Sequence, residues 1–125
     1  MHFTINNKDY KLNFGTKFVA DLDKTYLMEN EGVEFGMGTF MAQSKLELGS
    51  FEALADIIRC AITDRKFTND DIYAAMDEYN DLSKIFDEIE EELKNSQAVQ
   101  VVETRMAAQE KETNRVQAAK KHTKK

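Results

Sequence analysis

The residues best suited to chemistry form one acidic run in the second half of the chain: Asp87, Glu88, Glu90, Glu91 and Glu92. Carboxylates grouped in this way could bind a metal ion or supply an acid and a base for catalysis. The spacing argues against both, because Ile89 and Leu93 continue an apolar stripe whose burial would turn most of the carboxylates towards solvent. No histidine lies nearby in the sequence to complete a transition-metal site. We therefore interpret the run as a solvated helix face.

The other reactive groups are isolated from one another. His2 and His122 lie near opposite ends of the sequence, where order is usually poorest, so neither is expected to act as a base or a metal ligand. Cys60 lies in the apolar run ADIIRCAI, where a buried and inert thiol is the ordinary interpretation. Serine and threonine residues fall in caps and turns with no histidine beside them. The sequence predicts no catalytic site, no metal and no cofactor, and therefore a protein that is not an enzyme.

An apolar cluster flanked by glycines is the best candidate for binding. Its Gly36-Met37-Gly38 segment lacks the third glycine, the preceding parallel strand and the acidic ribose partner of a dinucleotide loop. Flexible Met side chains beside Phe let a surface adapt to different apolar partners, which makes this cluster a hypothetical partner-binding surface. The alternative is that the same residues are ordinary core. The candidate residues are Phe35, Met37, Phe40 and Met41.

Charge is distributed unevenly along the chain, whose net charge is −6. Residues 1–93 contain nine Lys and Arg against 20 Asp and Glu, whereas residues 94–125 contain eight against three. An acidic body repels phosphate backbones, so sequence-independent binding of nucleic acid could come only from the basic tail. No run approaches the roughly 18 consecutive apolar residues of a membrane span, and the N-terminus lacks the pattern of a secretion signal. We expect a cytoplasmic protein with no membrane partner.

A small hairpin and a helix are expected to open the chain. Alternating apolar residues predict two strands, with Phe3 and Ile5 in one and Tyr10, Leu12 and Phe14 in the other. The segment Asn6-Asn7-Lys8-Asp9 is the expected turn, because Asn and Asp tolerate turn conformations that other residues avoid. From Thr16 the apolar spacing changes to three and four residues, which predicts an amphipathic helix to about Met28.

Further helices follow from the same spacing and from capping residues. They are expected from about Thr39 to Leu46, from the N-cap Ser50 to about Asp64, after the capping sequence Thr68-Asn69-Asp70-Asp71, and from about Asp81 to Asn95. The apolar stripe from Ile72 to Leu93 allows one long helix or two, and we favour two because Asn80 and Asp81 can cap a new helix. The helix after Ser50 is the expected centre of the core, with one apolar face: Phe51, Leu54, Ile57, Ile58, Ala61 and Ile62.

The expected fold is mainly α with a small N-terminal β-hairpin (α+β), with four to five helices packed in one small domain. A chain of 125 residues can bury one modest core. Residues 1–96 are predicted to form one helical domain that includes the N-terminal hairpin. Residues 97–125 contain few large apolar side chains, so they are predicted to form a basic tail that is flexible, partly disordered or a detached helix.

Three segments together resemble one family, the tail assembly chaperones of long-tailed (siphovirus-type) bacteriophages of Gram-positive bacteria. The resemblance covers roughly residues 3–96 and contains no catalytic signature. The segments are YKLNFGTKFVADLDKTY at Tyr10–Tyr26, FGMGTFMAQSKLELGSFEALADIIRCAI at Phe35–Ile62, and DLSKIFDEIEEELKNS at Asp81–Ser96.

The resemblance implies a chaperone that binds and solubilises the tape measure protein and helps to recruit tail tube subunits. Such a protein works in the cytoplasm of the host bacterium and is not expected in the mature virion. The implied partners are the tape measure protein and the tail tube protein, and association with copies of itself stays open. Two alternatives remain: a small connector that stays in the virion, and a regulator that binds nucleic acid through its basic tail.

Overall fold

The structure, a computed structural model, describes residues 1–29 and 37–123, with side chains for residues 1–27, 37–109 and 111. These residues form an antiparallel hairpin and six helices, which confirms the predicted mainly α fold with a small N-terminal hairpin. The strands are β1 (His2–Ile5) and β2 (Lys8–Lys11). The helices are α1 (Thr16–Glu29), α2 (Met37–Glu47), α3 (Phe51–Ala61), α4 (Asn69–Met76), α5 (Leu82–Asn95) and α6 (Gln97–Thr123).

The hairpin turn is tighter than predicted. Only Asn6 and Asn7 form it, with φ angles of 51° and 64°, while Lys8 already pairs with Ile5. Two residues with positive φ match the twist of the flanking strands, and asparagine accepts that conformation more readily than most residues. The second strand ends at Lys11, earlier than the alternating pattern predicted, because the backbone N–H of Asn13 turns away to donate to the Ala61 carbonyl at 2.8 Å.

The predicted helix caps are confirmed. The hydroxyl of Ser50 accepts from the Ala53 N–H at 3.1 Å, and Asp81 accepts from the Lys84 N–H at 3.1 Å, so α4 and α5 are separate helices. Thr68 and Asp71 form a reciprocal capping box at the start of α4. Each cap supplies an acceptor to backbone groups that the first helical turn leaves unpaired.

Two helix boundaries differ from the prediction. Helix α3 ends at Ala61 instead of near Asp64, because the next residue adopts an extended conformation and the Ala61 carbonyl is used by the segment before α1. Helix α2 begins at Met37, two residues before the predicted Thr39. The earlier start brings Gly38 into the helix, where it lies against α1.

Helix α3 is the central element of the core, as predicted. It contacts α1, α2 and α4, and its Leu54, Ile57 and Ile58 side chains are fully buried. Phe51 is a correction: the sequence placed it on the buried face, but it is the first residue of the helix and remains half exposed. A position in the first turn of a helix lies at the edge of the packed layer, which periodicity alone does not reveal.

Helix α6 begins in the core and continues beyond it. Val99 is fully buried, and the Ser96 hydroxyl both donates to the Phe14 carbonyl at 2.5 Å and accepts from the Val99 N–H at 3.2 Å. The first turn is therefore attached to the body, while the described side chains from Ala107 onward are exposed. The predicted division into residues 1–96 and 97–125 stays a prediction.

Candidate partner-binding surface

Helix α2 has a buried face and an outer face. The buried face packs against the core and consists of Gly38, Thr39, Ala42 and Leu46. Phe40 lies on the other side of the helix, where half of its surface is exposed. The opposite face of α2 is the one that packs against the core. Folding therefore leaves the aromatic surface of Phe40 exposed.

The structure brings three of the four predicted binding residues together on this helix. Phe40 is 50% exposed, Met37 is partly buried, and Met41 is partly buried and packs against the core. Met37 and Met41 are one helical turn apart, so they share a side of α2 next to Phe40. The fourth residue, Phe35, lies outside the described residues. Within this surface Phe40 faces solvent, whereas Met41 is partly packed against the core.

Close contact with α1 holds α2 in place. A Cβ atom added to Gly38 would lie 2.6 Å from the Cα of Asp23, so the two backbones approach as closely as glycine allows. The Asp23 carboxylate also accepts from the Thr39 N–H at 3.3 Å. A carboxylate near the N-terminus of a helix is favoured by the unpaired N–H groups there. These contacts fix the direction in which Phe40 points.

More apolar surface follows at the end of α2. Leu48 is 87% exposed in the turn, and Gly49 adopts a φ of 81° that lets the chain reverse into α3. Phe51 is 50% exposed, and its ring lies 5.6 Å from the ring of Phe86 in an edge-to-face arrangement. The sequence placed Phe51 in the core and Phe86 on a buried stripe. Phe86 is partly buried and packs against the core, so only Phe51 departs from the prediction, and their contact depends on how α5 packs near α3.

The acidic run of α5 lies at the surface. Asp87, Glu88 and Glu91 are exposed, whereas Glu90 and Glu92 are partly exposed. Glu88 lies 3.9 Å from the Lys84 ammonium group, and Glu92 lies 3.8 Å from the N-terminal amine. Among the described side chains, no group of three or more His, Cys, Asp and Glu is arranged to hold a metal ion.

A buried polar network joins three helices of the protein. One carboxylate oxygen of the fully buried Asp56 accepts from the Asn69 amide at 2.9 Å and from the Arg59 guanidinium at 3.3 Å. Arg59 also donates to the Asn69 side chain at 2.8 Å and to the Thr25 hydroxyl at 3.3 Å. The network connects α1, α3 and α4. The sequence signal for it was a pair of charged residues, Asp56 and Arg59, three positions apart within the apolar run of α3.

Cys60 is buried, as predicted, beside the same network. Its sulfur lies 3.8 Å from the Thr25 hydroxyl. Burial raises the pKa of the Cys60 thiol, and this effect exceeds the opposing influence of the nearby Arg59 charge. The thiolate is the reactive form of cysteine, so a raised pKa makes this thiol a poor nucleophile.

Comparison with known proteins identifies one family. Residues 2–107 match the model of the family described as phage tail assembly chaperone protein, TAC. The match includes the hairpin, helices α1 to α5 and the beginning of α6. No curated protein and no solved structure matches the chain. Within the described residues, no helix is both long enough and apolar enough to span a bilayer.

Proposed function

Since this chain belongs to the phage tail assembly chaperone family, we propose that it binds and solubilises the tape measure protein and helps to recruit tail tube subunits during tail morphogenesis. The role is one of binding and release, without catalysis. It is performed in the cytoplasm of the host bacterium, and the protein is absent from the mature virion.

The observation that carries this proposal is the exposure of Phe40 on a helix whose other face forms the core. When a partner covers a large aromatic side chain at the surface, binding is stabilised by roughly 25 cal/mol per Å² of apolar area removed from water. The neighbouring Met37 and Met41 can change rotamer to fit different apolar side chains. A chaperone that holds a long helical partner needs this kind of adaptable surface. Phe35, which precedes α2 in the sequence, is included in the proposal as a fourth binding residue.

The test is co-expression of the chain with the tape measure protein of the same phage. The measured quantities are the soluble fraction of the tape measure protein and its co-purification with the chain. Phe40→Ser is expected to lower both strongly while leaving the helical circular dichroism spectrum unchanged, because Phe40 is half exposed. A double variant that also replaces Met41 would change core packing as well as the exposed surface, since Met41 packs against the core.

Val101→Ser is the matched control. Val101 is 49% exposed, and the neighbours that line its surface depression, such as Gln97 and Thr104, all belong to α6. The substitution Val101→Ser therefore removes a similar fraction of exposed apolar side chain at a different place on the protein. The proposal is wrong if the tape measure protein stays insoluble with the unaltered chain, or if Phe40→Ser and Val101→Ser behave alike.

Mass spectrometry of purified particles tests the location. A chaperone that is released during tube assembly should be missing from virions while it is detected in infected cells. Detection at a fixed copy number per particle would instead favour the connector role.

A further inference from the structure

A single residue, Ser96, separates helix α5 from helix α6. We propose that this junction is a conformational switch. Contacts with the body hold the two helices apart, and release of those contacts joins them into one continuous helix. The inference is independent of the proposed function, since it rests on the contacts of this junction alone.

The local sequence does not require a break at this point. Ser96 has an extended conformation, with φ −78° and ψ 120°, whereas its neighbours Asn95 and Gln97 are helical. No glycine or proline occurs between Leu82 and Lys125, and these are the residues that interrupt helices most strongly. Asparagine and serine favour helix ends but are tolerated within helices at a small cost. The break therefore depends on what the junction contacts.

Hydrogen bonds and apolar packing hold the start of α6 on the body. The Ser96 hydroxyl donates to the Phe14 carbonyl at 2.5 Å and accepts from the Val99 N–H at 3.2 Å. Val99 is fully buried, and Ala98 and Val102 pack against the core. The helix contacts α1, α2 and α5. We call the contacts made by Ser96 and Val99 the latch.

The break also decides which side of α6 meets the core. In an unbroken helix Gln100 would continue the buried side of α5, because it follows the buried Leu93 by seven residues, close to two full turns. Val102, nine residues after Leu93, would point to the opposite side. In the structure Gln100 is exposed and Val102 is partly buried. The extended residue Ser96 therefore turns the apolar side of α6 towards the core.

The broken form lacks helical hydrogen bonds that an unbroken helix would contain. The N–H groups of Gln97 and Ala98 open a new helix, so they have no carbonyl of their own helix four residues back. The Lys94 carbonyl instead accepts from the Gln100 side-chain amide at 2.6 Å. An unbroken helix would pair Gln97 with Leu93 and Ala98 with Lys94. It gains these bonds and loses the latch, so the two forms partly compensate one another.

Release of the latch would change the position of the basic tail. The joined helix would run from Leu82 to Thr123 and measure about 63 Å at 1.5 Å per residue. Its second half would continue the direction of α5, and the apolar side that carries Val99 would be exposed. A partner that competes with α6 for its place on α1, α2 and α5 would favour this form, because it binds only the state in which that place is vacated.

The distance between two spin labels, measured by pulsed electron paramagnetic resonance on the full chain, tests the switch. Ser83→Cys and Ala107→Cys place the labels at exposed positions of α5 and α6, and Cys60→Ala removes the native thiol from every protein. An unbroken helix separates the labelled positions by about 36 Å, and a bend at the junction shortens that distance. We expect the short distance in the chain with an unaltered junction.

Ser96→Ala should raise the ratio of long to short distances by roughly tenfold, the effect of losing a capping hydrogen bond of ordinary strength. Val99→Ser should act in the same direction, because Val99 is the buried part of the latch. The matched control is Val101→Ser, which makes the same substitution at a position that is 49% exposed and should leave the distances unchanged.

Hydrogen exchange at the Gln97 amide distinguishes joining from simple detachment. In Ser96→Ala this exchange should slow, because the N–H gains a helical acceptor, and circular dichroism should show no loss of helix.

The proposal is overturned if the short distance persists in both Ser96→Ala and Val99→Ser, since the local sequence would then maintain the break. Broad distances together with a loss of helix would also overturn it, because α6 would detach without joining α5. A long distance in the chain with an unaltered junction, or equal shifts in Val99→Ser and Val101→Ser, would rule out the latch.

Discussion

Gly38 of α2 lies directly against Asp23 of α1, since a Cβ at Gly38 would be 2.6 Å from the Asp23 Cα and 2.8 Å from the Leu22 carbonyl oxygen. Both of these neighbours are backbone atoms, which cannot rotate away. Glycine at this position therefore sets the distance between the two helices, and the orientation of Phe40 depends on it.

We expect Gly38→Ala to lower the free energy of unfolding by about 1–3 kcal/mol, the usual cost of overpacking a tight contact. The gain in helix propensity from alanine, about 1 kcal/mol, offsets part of the clash. Urea unfolding followed by circular dichroism measures the change. Glu47→Ala, at an exposed position of the same helix, should change stability by less than about 0.5 kcal/mol. Equal stability of the two variants would show that α1 and α2 can separate without cost.

The buried carboxylate of Asp56 should be important for stability. Asp56→Ala leaves the Asn69 amide and the Arg59 guanidinium without their shared acceptor, and we expect a loss of about 2–4 kcal/mol. Asp56→Asn keeps one oxygen acceptor of the same size and should cost less. Thermal unfolding of both variants tests this order. If Asp56→Asn were less stable than Asp56→Ala, the network would require the negative charge of Asp56 and not only its hydrogen bonds.

Ser96 should control how α6 leaves the body. Ser96→Ala removes the hydroxyl that links the Phe14 carbonyl to the Val99 N–H, and we expect it to cost about 1–2 kcal/mol. Hydrogen exchange should accelerate at the Val99 amide. Ser83→Ala, at an exposed position in α5, is the control and should leave that amide unchanged. Unaltered exchange in Ser96→Ala would mean that burial of Val99 alone holds the first turn.

The capping box at the start of α4 should make the stability of the fold depend on pH. The hydrogen bond that the Thr68 backbone N–H donates to the Asp71 carboxylate, and to a lesser extent the Thr68 side chain, lower the pKa of Asp71 below its ordinary value of 3.8. A carboxyl group with a lowered folded-state pKa stabilises the fold above its unfolded pKa, and this contribution is lost as the pH falls through the folded value. Asp71→Asn should therefore reduce stability at neutral pH and flatten its decline in acid.

NMR titration of the Asp71 carboxyl measures the pKa directly. Its pKa should rise towards the ordinary value in Thr68→Ala, which removes the hydroxyl but retains the backbone donor. A pKa that is identical in the two proteins would assign the whole shift to the backbone N–H.

The sequence predicts local features of this fold well. Ser50, Thr68 and Asp81 begin helices because each supplies a side-chain acceptor to its own first turn. Capping of this kind involves residues three positions apart, so it can be recognised from the sequence. The hairpin and the separation of α4 from α5 can also be recognised from the sequence, because they too depend on residues close to one another in the chain.

The candidate binding surface was predictable only in part. The cluster around Phe40 was visible as Met and Phe near glycine, but its division into an exposed Phe40 and a packed Met41 depends on which face of α2 meets the core. Phe51 and Phe86 come together across 35 positions of sequence, and no periodicity specifies such a contact.

Sequence alone therefore determined the mainly α class, the hairpin, the capped starts of α3, α4 and α5, and the contrast between an acidic body and a basic tail, since all of these depend on neighbouring residues. The tertiary structure decided that Phe51 is exposed, that Asp56 is paired with Asn69 and Arg59, and that α6 is anchored through Val99. Each of these depends on how helices distant in sequence pack together. Packing is set by the shape and volume of the whole core, which no single segment contains.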